Sequence, residues 1–353
     1  MKKIIIPILL LALLLSGCSS WMDGEYHSVK PHASDGDKLA DDVVTVSNYD
    51  ELRLALFEMV ESGRQESTIY ITGFSVDNIE KYMNTTIYQV FQNSAIGAYA
   101  VDEITYESGI SGGVNAIAVK VSYLHGRQEI LRIKNAQDMQ SVKNYVSAAL
   151  RNCESSVVIK VDEYIGSDIE QMVKEYVNAN PHLCMELPLV SSTVYPKQGR
   201  ERVLEIFFTY QNSRSDLQMM QNNVSPIFAA AELYVQNSDG AEQKYEQLSA
   251  FLMERFDYKL ETSVTPVYSL LRYGVGDSKA FAMVYSIMCQ NADLPCQVVS
   301  GTKNGEAYYW NIIQIEDNIY HVDLLACSDA GAFHMMSEDE MTGYVWDYSL
   351  YSQ

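Results

Sequence analysis

Basic residues are in short supply: 25 Lys and Arg stand against 46 Asp and Glu, for a formal net charge of −21. A surface of that sign repels phosphate backbones and anionic headgroups, which excludes nucleic-acid binding as a main role and leaves solubility or a cationic partner as its use. Cysteine is sparse too, with 6 in 353 residues, and no spacing of Cys and His suggests zinc. With Cys18 set aside, Cys153, Cys184, Cys289, Cys296 and Cys327 remain. That odd set is not the even framework of a disulfide-stapled domain, and a chain of this length can bury a core without one. No pattern calls for a cofactor. What is present is 47% hydrophobic and 11% aromatic residues, which argues for a globular chain over most of its length.

The first residues are of another kind. Lys2 and Lys3 precede an apolar run from Ile4 to Leu15, too short to span a bilayer as a helix, and Ser16-Gly17-Cys18 follows. Leu15-Ser16-Gly17-Cys18 looks like a bacterial lipobox. It implies cleavage before Cys18, lipid on that sulfur, and attachment to the outer face of a bacterial cell membrane, which is an extracytoplasmic location. Residues 1–17 are therefore expected to be a lipoprotein signal peptide. Residues 18–42, polar and without apolar periodicity, are expected to be a flexible tether.

Two stretches in the middle share a pattern more than identity. Asn48 matches Asn135, Ile69 matches Val157, Ile79-Glu80 matches Ile169-Glu170, Tyr123 matches Tyr210 and Arg127 matches Arg214, all at a nearly constant offset. Each copy reads as a helix beginning at the Asn, an apolar strand (68–74 and 156–161), a second helix and two alternating strands. The expectation is a duplicated pair of small α+β units, residues 43–130 and 131–216. Arg127 and Arg214, each after a last strand, are expected to pair with neighbouring acids. No catalytic constellation stands out in either unit. Helical stretches at 217–235 and 241–256 follow, separated by Asn237-Ser-Asp-Gly240.

From Tyr268 onward the residues carry chemistry. Gly274-Val-Gly276-Asp277-Ser278 leads into Phe281-Ala282, then come Leu294-Pro295, Tyr308-Tyr-Trp310-Asn311 and Tyr320-His321-Val322-Asp323. This order resembles the core of the transglutaminase-like superfamily, which has a papain-like fold. In that family a Cys opens the helix after the glycine turn, a His-x-Trp-Asn segment lies on the next strand, and an Asp follows on a third. Aligning Leu294-Pro295 and Phe281-Ala282 puts Ser278 at the nucleophile position. Trp310-Asn311 puts Tyr308 where the His belongs, and the spacing from Tyr308 to Asp323 is that of the family's His and Asp. Ser337 to Met341 and Tyr344-Val-Trp346-Asp347 look like a tail that accompanies this core in Gram-positive bacterial members. The resemblance implies a transglutaminase-like domain over residues 217–353, making the whole chain α+β.

The two substitutions remove the usual chemistry. A serine needs a base during attack, and a phenol with an unperturbed pKa of about 10 accepts protons poorly. Loss of a nucleophile or base costs a triad roughly six orders of magnitude in turnover. Ser278, Tyr308 and Asp323 are thus expected to be degenerate triad positions, with Trp310 and His321 as binding-cleft candidates. The expected role is a non-catalytic binding module for peptide, protein or cell-wall material. The alternative is a serine-dependent hydrolase or acyl-transferase in which His321 or a perturbed Tyr308 serves Ser278 as base. Cys289 lies too far along the helix from Ser278 to replace it, and Cys296 is expected in the core.

Overall fold

The computed structural model describes residues 44–260 and 263–351. The leader, Cys18 and the tether lie outside them. Among the described residues, no helix is long and apolar enough to cross a membrane.

The first unit runs β1 (Val44–Val46), α1 (Tyr49–Glu61), β2 (Glu66–Ile71), α2 (Ile79–Asn93), α3 (Ala95–Ala100), β3 (Val101–Ser111), β4 (Val114–Tyr123) and α4 (Arg127–Leu131). The second runs β5 (Lys134–Ala136), α5 (Met139–Arg151), β6 (Ser156–Val161), α6 (Ile169–Ala179), β7 (Leu189–Tyr195) and β8 (Arg202–Thr209). Their sheets have the same order, β1-β2-β4-β3 and β5-β6-β8-β7, with an antiparallel pair at the centre of each. Both pack aliphatic strand faces under amphipathic helices. Leu52, Leu56, Ile69 and Ile117 are buried in one, and Val146, Ile159, Leu204 and Ile206 in the other.

Local chemistry sets the helix starts. Asn48 caps α1, its side chain accepting the Glu51 N–H at 3.0 Å. Asn135 does not do the same in the second unit, contrary to the sequence alignment. It lies on β5, and the cap of α5 is Asp138, which accepts the Ser141 N–H at 2.8 Å. β1 and β5, at three residues each, are too short to show a period in the sequence. The first apolar strand, expected to reach residue 74, ends at Ile71. There the chain turns so closely that a Cβ on Gly73 would sit 2.0 Å from the Ser47 carbonyl oxygen. Arg127 and Arg214 open α4 and α7, and Arg127 Nε donates to the Ser62 carbonyl at 3.2 Å.

The C-terminal part begins with α7 (Arg214–Val235) and α8 (Ala241–Met253). It continues through β9 (Asp257–Tyr258), α9 (Pro266–Tyr273), β10 (Val275–Gly276) and α10 (Ser278–Asn291) to the hairpin β11 (Cys296–Lys303) and β12 (Glu306–Ile315). Then come β13 (Asn318–Val322), α11 (Leu324–Ala330) and β14 (Tyr344–Trp346). These strands form an antiparallel sheet in the order β13-β12-β11-β14. Helix α10 is buried along most of its length. Its apolar residues join α7, α8 and α9 in one core that also takes in Cys153 and Met185 of the second unit. A smaller core on the opposite face of the sheet is built from Val299, Trp310 and Met341.

Candidate functional site

A glycine turn delivers the start of α10. Pro266 opens α9, where a missing N–H costs nothing, and Gly274 ends it in the left-handed region at φ 82°. Gly276 then passes so close to α9 and α10 that a Cβ would meet that of Ala280 at 2.8 Å. Asp277 caps α10 by accepting the Ala280 N–H at 2.9 Å, which places Ser278 as the first helical residue. A groove of about 230 Å³ lies beside this turn, lined in part by Pro266, Ser269, Tyr273, Gly276, Asp277 and Ala280.

Strand β12 presents two different faces. Asn311 and Ile313 turn towards α10, Asn311 donating to the Ala282 carbonyl at 2.9 Å and Ile313 joining the larger core. Tyr308, Trp310 and Ile312 alternate with them and pack with the smaller core. Trp310 is fully buried and fits because residue 301 is glycine, where a Cβ would lie 2.7 Å from the indole ring.

Ser278 is buried, and its hydroxyl oxygen accepts the backbone N–H of Tyr309 at 3.3 Å. Among the described residues no hydrogen bond joins it to Tyr308, His321 or Asp323. The structure therefore brings Tyr308 and Asp323 together but gives Ser278 a backbone partner of its own.

Asp323 is the centre of the other cluster. It is 1% exposed and caps α11, Oδ1 accepting the N–H groups of Leu325 and Ala326 at 3.1 and 3.2 Å. Oδ1 also accepts the Tyr308 hydroxyl at 3.0 Å. Oδ2 takes the Tyr344 hydroxyl and the Lys303 ammonium, both at 2.6 Å. An aspartate that serves a general base needs a free oxygen aimed at an imidazole. Here both oxygens are engaged and no donor is an imidazole. Burial, followed by the neighbouring Asp323 carboxylate, pushes the Tyr308 phenol far above its usual range, and the same two causes raise Tyr344. Both stay protonated and act as donors.

His321 belongs to a separate arrangement. It is 4% exposed, and its Nδ1 accepts the indole N–H of Trp310 at 3.0 Å, with the Trp346 ring 4.9 Å away. Burial lowers its pKa. With the Nδ1 lone pair taken, this bond assigns the proton of the neutral ring to Nε2, so neither nitrogen is free to accept. The cysteines offer no substitute. All five described ones are buried and unpaired, and burial pushes the Cys289 thiol well up. Nor, among the described residues, is any group of three His, Cys, Asp or Glu placed to hold a metal ion.

Two members of the Asp323 cluster, Lys303 and Tyr344, were missing from the sequence-derived site. The sequence did carry a pointer to Lys303. Asn304-Gly305 between two alternating runs marks a two-residue hairpin. That register pairs Lys303 with Glu306 and Gly301 with Tyr308, setting Lys303 diagonally beside Tyr308 on one face. Tyr344 arrives through β14, whose pairing with β11 no local pattern predicts.

Three solved structures overlap the chain loosely. One is a candidate cysteine protease from Cytophaga hutchinsonii, at 8% identity and TM-score 0.27, covering 45% of this chain and 70% of its own. Another, described as a TGase, has 11% identity and TM-score 0.26, with 63% and 64% covered. A candidate protease from Parabacteroides distasonis has 7% identity and TM-score 0.25, with 73% and 40% covered. Overlap this loose says nothing of activity, and the chain spans less than two thirds of the second and third. No curated protein matches. The family comparison is firmer, and it agrees with the turn, helix and strand order described above: residues 229–347 match the transglutaminase-like superfamily and form a transglutaminase-like domain.

Proposed function

We propose that this chain is a lipid-anchored, extracytoplasmic protein whose transglutaminase-like domain is a non-catalytic binding module for peptide or cell-wall material. The observation that carries this reading is the state of Asp323: five donors saturate its carboxylate, and none of them is an imidazole. Further support comes from Tyr308, held as a phenol, and from His321, whose ring is committed to Trp310. Ser278 is left without a base. The groove beside α10 gives a ligand a place to lie. Anchoring at the outer face of a bacterial membrane rests on Leu15-Ser16-Gly17-Cys18.

The test needs no knowledge of the ligand. The purified chain and its Ser278→Ala variant are treated with a serine-reactive fluorophosphonate probe. Equal, background labelling of both is the expected result. Labelling of the parent that vanishes in the variant would replace this reading with a serine-dependent hydrolase or acyl-transferase. The anchor has its own check: Cys18→Ser is expected to abolish the lipid mass on the mature N-terminus.

A further inference from the structure

We propose that a second cavity, between the C-terminal ends of α5 and α10 and one face of α7, binds a small elongated zwitterion, with a carboxylate at one end, a cationic amine at the other and a flat apolar body between them. The cavity has a volume of about 450 Å³, within the range of about 300–1,000 Å³ usual for small-molecule sites. It is separate from the groove at the glycine turn. Ser278 opens α10 and Asn291, in the wall of this cavity, closes it, so the two places stand about 20 Å apart along the helix. The floor is apolar. Leu183, Val224 and Phe228 line it, and the His182 ring packs edge-on against Phe228 with centroids 6.0 Å apart. Burial lowers the His182 pKa, which leaves this ring uncharged at neutral pH.

The rim carries the charges and keeps them apart. Gln221, Ser225, Phe228 and Glu232 share one face of α7, a stripe about 16 Å long. At its start the Gln221 amide donates to the Arg151 carbonyl at 3.1 Å, which sets the guanidinium at that end, and Glu232 stands at the other. Among the described residues neither Arg151 nor Glu232 has an ion-pair partner. The two helix ends sharpen this polarity, because each brings open carbonyls and about half a negative charge. Arg151 lies in the last turn of α5 and offsets that end, with about half its charge and its fork of N–H donors left over. The last turn of α10 holds no basic residue, so its end adds to the unmet charge of Glu232. A carboxylate suits the guanidinium fork, and an ammonium suits Glu232 and the carbonyl end of α10. A phosphate does not, since it brings up to two negative charges to one guanidinium. The apolar floor between the charges takes the body of the ligand, and the edge of a flat ring suits the Phe228 and His182 pair.

The test uses the full chain in detergent, with 4-(aminomethyl)benzoate as probe and its two halves, 4-methylbenzoate and benzylamine, as controls. Histidine ring resonances follow the titration. The probe is expected to shift one of them saturably, with a Kd of about 4 mM or tighter, the least that a ligand of this size should reach. Each half should bind at least about tenfold more weakly, since each forfeits one charged hydrogen bond. Arg151→Gln and Glu232→Gln should each weaken the whole probe by at least about tenfold for the same reason. Both side chains are exposed, so both variants keep the fold. No saturable shift up to about 20 mM, a half that binds as tightly as the whole, or an unchanged affinity in either variant would each overturn the proposal. Fluorophosphonate labelling of Ser278 reports on the other end of α10 and leaves these outcomes untouched, so the two readings fail separately.

Discussion

The small N-terminal sheets and the C-terminal sheet have four strands each, yet they bury different kinds of side chain. The two small units bury aliphatic residues almost throughout, with Thr86, Ser94 and Glu186 as their buried polar groups. The C-terminal part buries Ser278, Asn311, His321 and Asp323 around one sheet. An aliphatic core is set by pattern and volume and tolerates exchange of one apolar residue for another. A buried polar network is set by identity, because each donor lost leaves an acceptor unmet in a low-dielectric interior.

The sharpest way to break this contrast is Asp323→Ala. That change strands Lys303, two phenols and two N–H groups, and is expected to cost about 3–5 kcal/mol in urea unfolding, the range for breaking a buried pair. A loss no larger than that of a surface substitution would mean the network does not hold the domain together. Within the small units, two tyrosines at matching strand ends offer a finer comparison. The Tyr123 hydroxyl donates to the carbonyls of Met59 and Arg64 at 3.2 and 2.9 Å, whereas the buried Tyr210 hydroxyl has no partner among the described residues. Tyr123→Phe should cost about 1–2 kcal/mol and Tyr210→Phe about zero or less, since removing an unsatisfied hydroxyl relieves its desolvation. Equal losses would show that the two units differ less than their hydrogen bonds do.

The smallest expected effect is a slope with pH. Burial lowers the His321 pKa below the ordinary imidazole value of about 6.5, with nearby Glu338 opposing the shift, and burial also lowers His182. The unfolded chain then takes up these protons at a higher pH than the folded one. Their contribution is complete above about pH 6.5 and is lost as the pH falls below it. Denaturation midpoints should fall between pH 7.5 and 5.5 by less in His321→Asn than in the parent. An unchanged slope would show that the buried imidazole takes up its proton as readily in the folded chain as in the unfolded one.

How much of this was legible follows the same division. Periodicity located the strand at 156–161 and helices at 217–235 and 241–256, which run from Arg214 to Val235 and from Ala241 to Met253, and the glycine turn located the start of α10. Motif spacing brought Tyr308 to Asp323, and the structure joins them at 3.0 Å. What escaped was set by contacts distant in sequence. Asn135 and Asp138 both suit a helix start, and only the pairing of β5 with β6 decides between them. His321 stood as a cleft candidate and a possible base for Ser278, but the indole of Trp310 claims its Nδ1, a bond that residue type alone does not reveal.

Strand β14 has a consequence for the order in which the chain is made. Its residues come after every other described strand, yet Tyr344 completes the shell of Asp323 and Trp346 packs edge-on against Trp310 and at a tilt against His321. On the ribosome, α10 and the β11–β12 hairpin emerge first and must wait for β14 to complete the shell of the carboxylate. The two small units, complete by Thr209, can fold while that wait lasts. Proteolytic trimming that reached Tyr344 would return the finished domain to the same waiting state.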